Sequence, residues 1–287
     1  MKLGDYDICR ELAKNGPMNV YLARTPDGRE VVVKALLPVG TVQEAQQQAF
    51  LREIRITAAL RHRNIVEFID SGTGNGLLYC VMEYCNGGTL RDLLLKMGRP
   101  LTCEEALPMV CQVLAGLDYA HNATVSAPEN GAQSVCGVVH RDIKPENILL
   151  HYNEAGQYTA KIADFGLSKA FQLADQYGWT RTGDIGGSLS FLCRQQIINY
   201  KYARPEVDIW SAMAVLYYLL TGFPPRSGKP LSFNAILSTP PRPINEHGKG
   251  VPPKLAALID AALDDTESLR FKTAAEIRAE LKKFIAP

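Results

Sequence analysis

Two short runs, Tyr21–Arg24 and Glu30–Leu36, are rich in β-branched and apolar residues and flank Pro26-Asp27-Gly28, which predicts two strands joined by a turn. Residues 42–61 carry Ala, Gln, Glu, Leu and Arg with no Pro or Gly, which predicts a helix. Two further strands are expected at Ile65–Ile69 and Leu77–Tyr84, on either side of a turn at Ser71–Gly76. Beyond Cys85-Asn86-Gly87-Gly88 the spacing becomes helical, over residues 89–97, 103–121, 206–221, 252–263 and 273–285. Thr102 with Glu105 three positions later predicts a capping box at the start of the second of these. Short β runs stand at Gly137–Val139, Ile148–His151 and Tyr158–Ala163; Asn122–Gly137 reads as an inserted surface loop and Pro224–Gly250 as irregular chain. The composition shift near residue 86 therefore predicts a small β-rich lobe followed by a larger helical lobe, without repeats or low-complexity tracts.

One stretch raises the question of a membrane. Ile209–Pro225 has an uncharged run ending in Gly-Phe-Pro-Pro, but it is shorter than the roughly 20 apolar residues a span needs. It is expected to be a helix buried inside the larger lobe, with no membrane insertion within this chain. The N-terminus is acidic from Asp5 onward and lacks the apolar stretch of a secretory signal. With 287 residues, 46% apolar and 21% charged, the chain is of globular type and can bury a core without staples. Thirty-one Lys and Arg against 30 Asp and Glu argue against a dedicated nucleic-acid binder. Seven cysteines at scattered spacings, with no CxxC pair, point to reduced thiols and a cytoplasmic setting rather than a disulfide or zinc framework.

The sharpest chemistry lies in His140-Arg141-Asp142-Ile143-Lys144-Pro145-Glu146-Asn147, followed further on by Asp164-Phe165-Gly166. Two carboxylates, an amide and a cation fall on turn-like sequence between short β runs. Asp and Asn oxygens are hard ligands of the kind Mg²⁺ takes. A second Asp could orient a hydroxyl nucleophile, and a Lys could offset charge on a phosphoryl group. Either tripeptide alone would be weak, since turns favour Asp and Gly. The eight-residue block and the second motif together are specific.

At these residues the chain resembles a eukaryotic-type protein kinase catalytic domain of the kind found in bacterial Ser/Thr kinases, over about Tyr6 to Phe284. The resemblance implies an α+β, two-lobed protein kinase fold: a small β-rich N-lobe with one αC helix (1–83), a hinge (84–86) and a larger helical C-lobe (87–287), all in a single domain. It implies ATP-dependent transfer of the γ-phosphoryl to Ser or Thr hydroxyls of protein substrates. Asp142 would be the catalytic base, Lys144 would contact the γ-phosphate, and Asn147 and Asp164 would hold Mg²⁺, with Mn²⁺ as an alternative. Lys34, in Val31-Val32-Val33-Lys34, would hold the α- and β-phosphates with Glu53 as its ion-pair partner. Leu12, Val20, Val32, Met82 and Leu149 would line the adenine site, Met82 as gatekeeper, with backbone groups of Glu83 and Cys85 on the adenine edge. Asp208-Ile209-Trp210-Ser211 matches the start of the family's buried central helix. Thr180 and Thr182 stand where such kinases autophosphorylate, with Arg141 as the cation a phosphate would pair with and a homodimer as the setting. Ser188 matches the hydroxyl that bridges the catalytic Asp and Lys. The family also allows this chain to be the cytoplasmic domain of a longer membrane-anchored protein.

The chain departs from the family at several points. The glycine-rich loop aligns with Ala13-Lys14-Asn15-Gly16-Pro17-Met18-Asn19-Val20, so the three signature glycines are replaced, and Pro17 removes a backbone donor. Val32 replaces the usual Ala, Met213 a common Gly, and Cys193-Arg194-Gln195 stands for APE, which would leave Arg270 at most a neutral acceptor. These changes bear on nucleotide affinity and lobe stability. They also support the alternative of a pseudokinase-like scaffold with weak or no ATP binding.

Overall fold

A computed structural model of the chain describes residues 2–15, 18–36, 44–127, 133–165, 189–199, 203–226, 232–248 and 250–285. Six strands form one sheet in the order β1-β2-β3-β4-β6-β5: β1 (Lys2–Leu3), β2 (Tyr6–Asn15), β3 (Met18–Arg24), β4 (Glu30–Leu36), β5 (Phe68–Gly74) and β6 (Leu77–Glu83), all paired antiparallel. Helix α1 (Glu44–Ala59) is inserted between β4 and β5. Strand β4 reads as a continuous apolar run because both of its faces are covered. Val31, Val33 and Ala35 pack with Leu3, Tyr6 and Val81 on one face, while Val32 and Leu36 join Phe50 of α1, Cys80 and Met82 on the other.

The turn expected at Ser71–Gly76 is shorter than the sequence suggested. Strand β5 runs to Gly74, which pairs directly with Leu77, and only Asn75 and Gly76 form the loop. Their φ values of 51° and 73° place both central residues in the left-handed region, as a two-residue type I′ hairpin requires. At the other end, the strand begins at Phe68 rather than Ile65; Ile65 forms an isolated bridge to Ile162 instead.

Helices then dominate: α2 (Leu90–Met97), α3 (Cys103–Asn122), α4 (Arg194–Ile198), α5 (Glu206–Thr221), α6 (Phe233–Ser238), α7 (Pro253–Leu263) and α8 (Ala274–Lys282). Helices α2 and α3 both start in capping boxes, Thr89 with Asp92 and Thr102 with Glu105. Arg99 grips Glu105 through both terminal guanidinium nitrogens and, with the Thr102 amide, draws its carboxyl down to about 2. The uncharged run forms α5, in which every residue except Glu206 and Tyr218 is buried. No helix among the described residues is long and apolar enough to cross a membrane.

Three regions differ from the sequence expectation. The insert before residue 137, expected as a surface loop, contains a hairpin, β7 (Thr124–Ala127) with β8 (Gln133–Cys136). Gly137–Val139 is not a strand, because the amides of Gly137 and Val138 bond the carbonyls of Ala123 and Ala120 and close the end of α3. The Pro-rich 224–250 region contains α6 and a 3₁₀ turn at Ile244–Glu246. Strands β9 (Ile148–Tyr152) and β10 (Tyr158–Ile162) form a separate antiparallel pair. Helix α3 lies against β10 at Gly116, where a Cβ would come within 2.8 Å of the Asn64 carbonyl and 3.0 Å of Ile162 Cδ1.

Candidate active site

Lys34 sits in mid-β4, opposite Val20 of β3 and Cys80 of β6. Its Nζ lies 2.6 Å from Glu53 Oε1 on α1 and 2.9 Å from Asp164 Oδ1, just beyond β10. Lys34 and Glu53 are both 3% exposed. Burial opposes the ammonium charge, but the carboxylates of Asp164 and Glu53 outweigh it and push the Lys34 pKa up. Asp164 is subject to the same contest with the opposite sign: burial favours its neutral form, and the Lys34 charge and hydrogen bond hold its pKa below the usual carboxylate range. Both groups are therefore ionised at neutral pH.

The second half of the site is the segment between α3 and β9. Asp142 Oδ2 accepts hydrogen bonds from Lys144 Nζ and Asn147 Nδ2, each at 2.9 Å, and Asn147 Nδ2 also bonds the Asp142 carbonyl at 2.8 Å. Both bonds use the Asn147 amide nitrogen and leave its Oδ1 out of them. The two halves are joined at Ala163. Its amide donates to the Asn147 carbonyl at 2.9 Å, and its carbonyl lies 2.8 Å from His140 Nε2. The His140 ring also meets Phe165 edge-on, with centroids 4.7 Å apart.

Three residues that sequence reasoning did not assign to the site position this segment. Asp208, at the start of α5 and 0% exposed, accepts from the amides of His140 and Arg141 at 2.7 Å each and lies 2.8 Å from His121 Nε2. Burial raises the Asp208 pKa, but the His121 hydrogen bond, its charge interactions and the backbone amides hold it down. Gln196 of α4, also fully buried, donates to the Arg141 carbonyl. These contacts hold Arg141 at φ 67°, a left-handed conformation shared by Asp164 at 62°. In the sequence Asp208 stood out only as the first residue of the match to the family's buried central helix, and its reach to the amides of residues 140 and 141 depends on tertiary packing.

Of the residues expected to line an adenine site, Val32, Met82, Cys85 and Leu149 lie in one cluster. Val32 pairs with Met82, and both share a cluster with Cys85, Leu149 and Ala163. Val20 is half-buried on β3, and Leu12 on β2 is 36% exposed. The Glu83 amide donates to the Glu67 carbonyl, and its side chain turns to Lys161, with Oε1 at 2.7 Å from Nζ. Thr180, Thr182 and Ser188 lie outside the described residues, as do Gly16 and Pro17.

The Arg270 expectation is revised by the structure. Gln195 Nε2 donates to the carbonyls of Asp265 and Glu267, and Arg270 is exposed beside the Phe271 ring. Among the described residues the buried arginine is Arg226: it is 2% exposed, bonded to Asp265 Oδ1 at 2.5 Å, and also bonded to the carbonyls of Thr239 and Leu192. Asp265 Oδ2 accepts the Arg194 amide at 2.8 Å, so the α5–α6 connection is tied to the start of α4.

A family profile described as the protein kinase domain matches residues 6–281. The chain is 32% identical over 284 residues to the serine/threonine-protein kinase PknB of Mycobacterium leprae, covering 96% of this chain and 42% of that one. It is 31% identical to the probable serine/threonine-protein kinase SCO3848 of Streptomyces coelicolor, covering 97% of this chain and 40% of the relative. It is also 32% identical to the tyrosine-protein kinase MasK of Myxococcus xanthus, with 99% and 43% covered. The chain thus spans about two fifths of the curated relatives it matches. The crystal structure of the Mycobacterium tuberculosis PknI kinase domain superposes with a TM-score of 0.69 at 22% identity, over 99% of this chain and 97% of that one, which supports a common fold.

Proposed function

The chain belongs to the protein kinase domain family, and from that premise we propose that it is an ATP-dependent Ser/Thr protein kinase that uses a divalent cation, with Mg²⁺ preferred and Mn²⁺ as an alternative. The observation that carries this reading is the join at Ala163: it sets the Glu53–Lys34–Asp164 ion-pair line beside the Asp142–Lys144–Asn147 cluster. The donor set suits the cation. Asp164 offers a carboxylate and Asn147 an amide oxygen, both hard ligands of the kind Mg²⁺ prefers. When bound there, the cation would offset the charge of the phosphate chain.

Each residue has a defined task. Lys34, kept charged by Glu53, would bind the α- and β-phosphates. The Glu83 carbonyl and Cys85 amide would take the adenine edge, between Val32 above and Leu149 below, with Leu12, Val20 and Met82 completing the walls. Asp142 would accept the proton of the incoming hydroxyl as its oxygen bonds the γ-phosphorus and the bond to the departing ADP oxygen breaks. Lys144, already beside Asp142, would contact the γ-phosphoryl and stabilise charge as it is transferred. The chemistry in this class is mainly positioning and charge stabilisation, and these groups supply both. The substituted loop at residues 13–20 affects nucleotide affinity rather than these groups.

The choice of Ser or Thr rests on Lys144 in Lys-Pro-Glu-Asn, as in Ser/Thr kinases. Thr180 and Thr182 are the proposed autophosphorylation sites, reached in trans within a homodimer. Residues 1–83, 84–86 and 87–287 would be the two lobes and the hinge between them, working in the cytoplasm. Incubation of the purified chain with Mg·ATP, read by mass spectrometry, tests this. Addition of phosphate that disappears in Asp142→Asn is expected, and unchanged incorporation in that variant would refute the assignment.

A further inference from the structure

Beside the hinge, a group of side chains takes no part in phosphoryl transfer. Glu83, Cys85 and His151 each offer a donor atom, and these atoms all lie within 4.8 Å of one another. Glu83 and Cys85 are 8% and 6% exposed. His151 Nδ1 is buried and has no hydrogen-bond partner among the described residues, an unusual state for a buried ring nitrogen. The three groups come from different stretches: the end of β6, the hinge, and β9. On β9, residues 149 and 151 point to the same side, so His151 shares a face with Leu149, which packs in one cluster with Cys85. Lys161, paired with Leu149 across β9–β10, places its ammonium 2.7 Å from Glu83 Oε1. A positive charge thus already stands at this spot.

We propose that Glu83, Cys85 and His151 form a binding site for one zinc-class divalent cation, which displaces the Lys161 ammonium from Glu83 and ties the hinge to the β9–β10 pair. Thiolate, imidazole and carboxylate together are a zinc-type set, whereas Mg²⁺ takes oxygen ligands. Three protein ligands leave the fourth tetrahedral position to water. Zinc bond lengths imply ligand separations of about 3.5 Å, so side-chain adjustment suffices. On binding, the Cys85 S–H bond breaks, its proton leaves to solvent and the sulfur lone pair bonds the metal. Lys161 swings outward. Burial, with Glu83 nearby, holds the free Cys85 thiol up at about 12, so it is neutral until metal arrives. A bound cation would fix the hinge relative to β9, which carries the proposed adenine floor.

Titration of the purified chain with Co²⁺, followed by the thiolate-to-cobalt charge-transfer band, tests the site. One equivalent should give the band together with the visible absorption of tetrahedral cobalt, and Zn²⁺ but not excess Mg²⁺ should abolish both. Cys85→Ser should lose the band, His151→Ala should weaken binding at least about tenfold, and Lys161→Met should tighten it, while Cys9→Ser and Cys103→Ser should match the parent. Circular dichroism establishes that each variant is folded. A folded parent chain without the band, a band retained in Cys85→Ser, or an affinity unchanged in both His151→Ala and Lys161→Met would overturn the proposal.

Discussion

Asp142 takes two hydrogen bonds on one oxygen, from Lys144 and Asn147, which fixes the carboxylate of the proposed base. Replacing it with Asn keeps the shape but removes the proton acceptor. Steady-state kinetics should show kcat lower by about 100-fold or more in Asp142→Asn, with a smaller change in KM for ATP. Asp208 acts one step back, by holding the backbone that carries Asp142. Its folded-state pKa lies below the ordinary value of about 3.9, so its contribution to stability is complete above about pH 4 and fades as pH falls through the lowered folded value. Unfolding free energies from denaturant titrations of the parent and Asp208→Asn should differ by about 3 kcal/mol at neutral pH and converge in acid. A gap that stays constant down to about pH 3 would contradict this linkage. The side chains proposed for catalysis stood out in the sequence through the His140–Asn147 block and Asp164-Phe165-Gly166, and their roles through the resemblance to the protein kinase family. Asp208, His121 and Gln196 were not assigned to the site because their partners lie on other elements, and no local pattern encodes that contact.

The elements were legible where local physics decides them. The capping box at Thr102 and Glu105 formed as expected, and β4 has the limits the apolar run suggested. Thr102→Ala should lower stability by about 1 kcal/mol, measurable as a reduced melting temperature. Boundaries slipped where a less obvious signal governed. Asn75-Gly76 is itself a hairpin signal, but the wider Gly-rich stretch concealed it, and β5 extended through residues read as turn. The amides of Gly137 and Val138 were drawn into closing α3, which removed a strand that β propensity alone favoured. Gly116 illustrates a requirement visible only in three dimensions: α3 approaches the Asn64 carbonyl so closely that Gly116→Ala must push the two apart. A loss of about 1–3 kcal/mol is expected from chemical denaturation, against a gain if helix propensity alone mattered.

Across the whole molecule, the two-lobed arrangement followed from the change in patterning near residue 86, since a curled sheet and a helical body need different periodicities. What the sequence concealed was how distant parts are fastened. Arg226 and Asp265, 39 positions apart, form a fully buried pair that binds the α5–α6 connection to α4, while Arg270 points to solvent. Arg226→Met leaves Asp265 without its guanidinium partner and should cost about 3–5 kcal/mol, whereas Arg270→Met should be close to neutral; thermal melts of the two variants provide the comparison. Burial of a long cationic side chain is rare enough that composition gives no hint of it.

The single imidazole of His140 bonds the Ala163 carbonyl next to Asp164 and accepts the Asp142 amide at 3.2 Å, so the two acids share one pivot. Tilting that ring would disturb both together. Partial inactivation by mild urea should therefore sort the population into fully competent and fully idle molecules, with turnover falling in proportion to their ratio while the Michaelis constant of the survivors stays level.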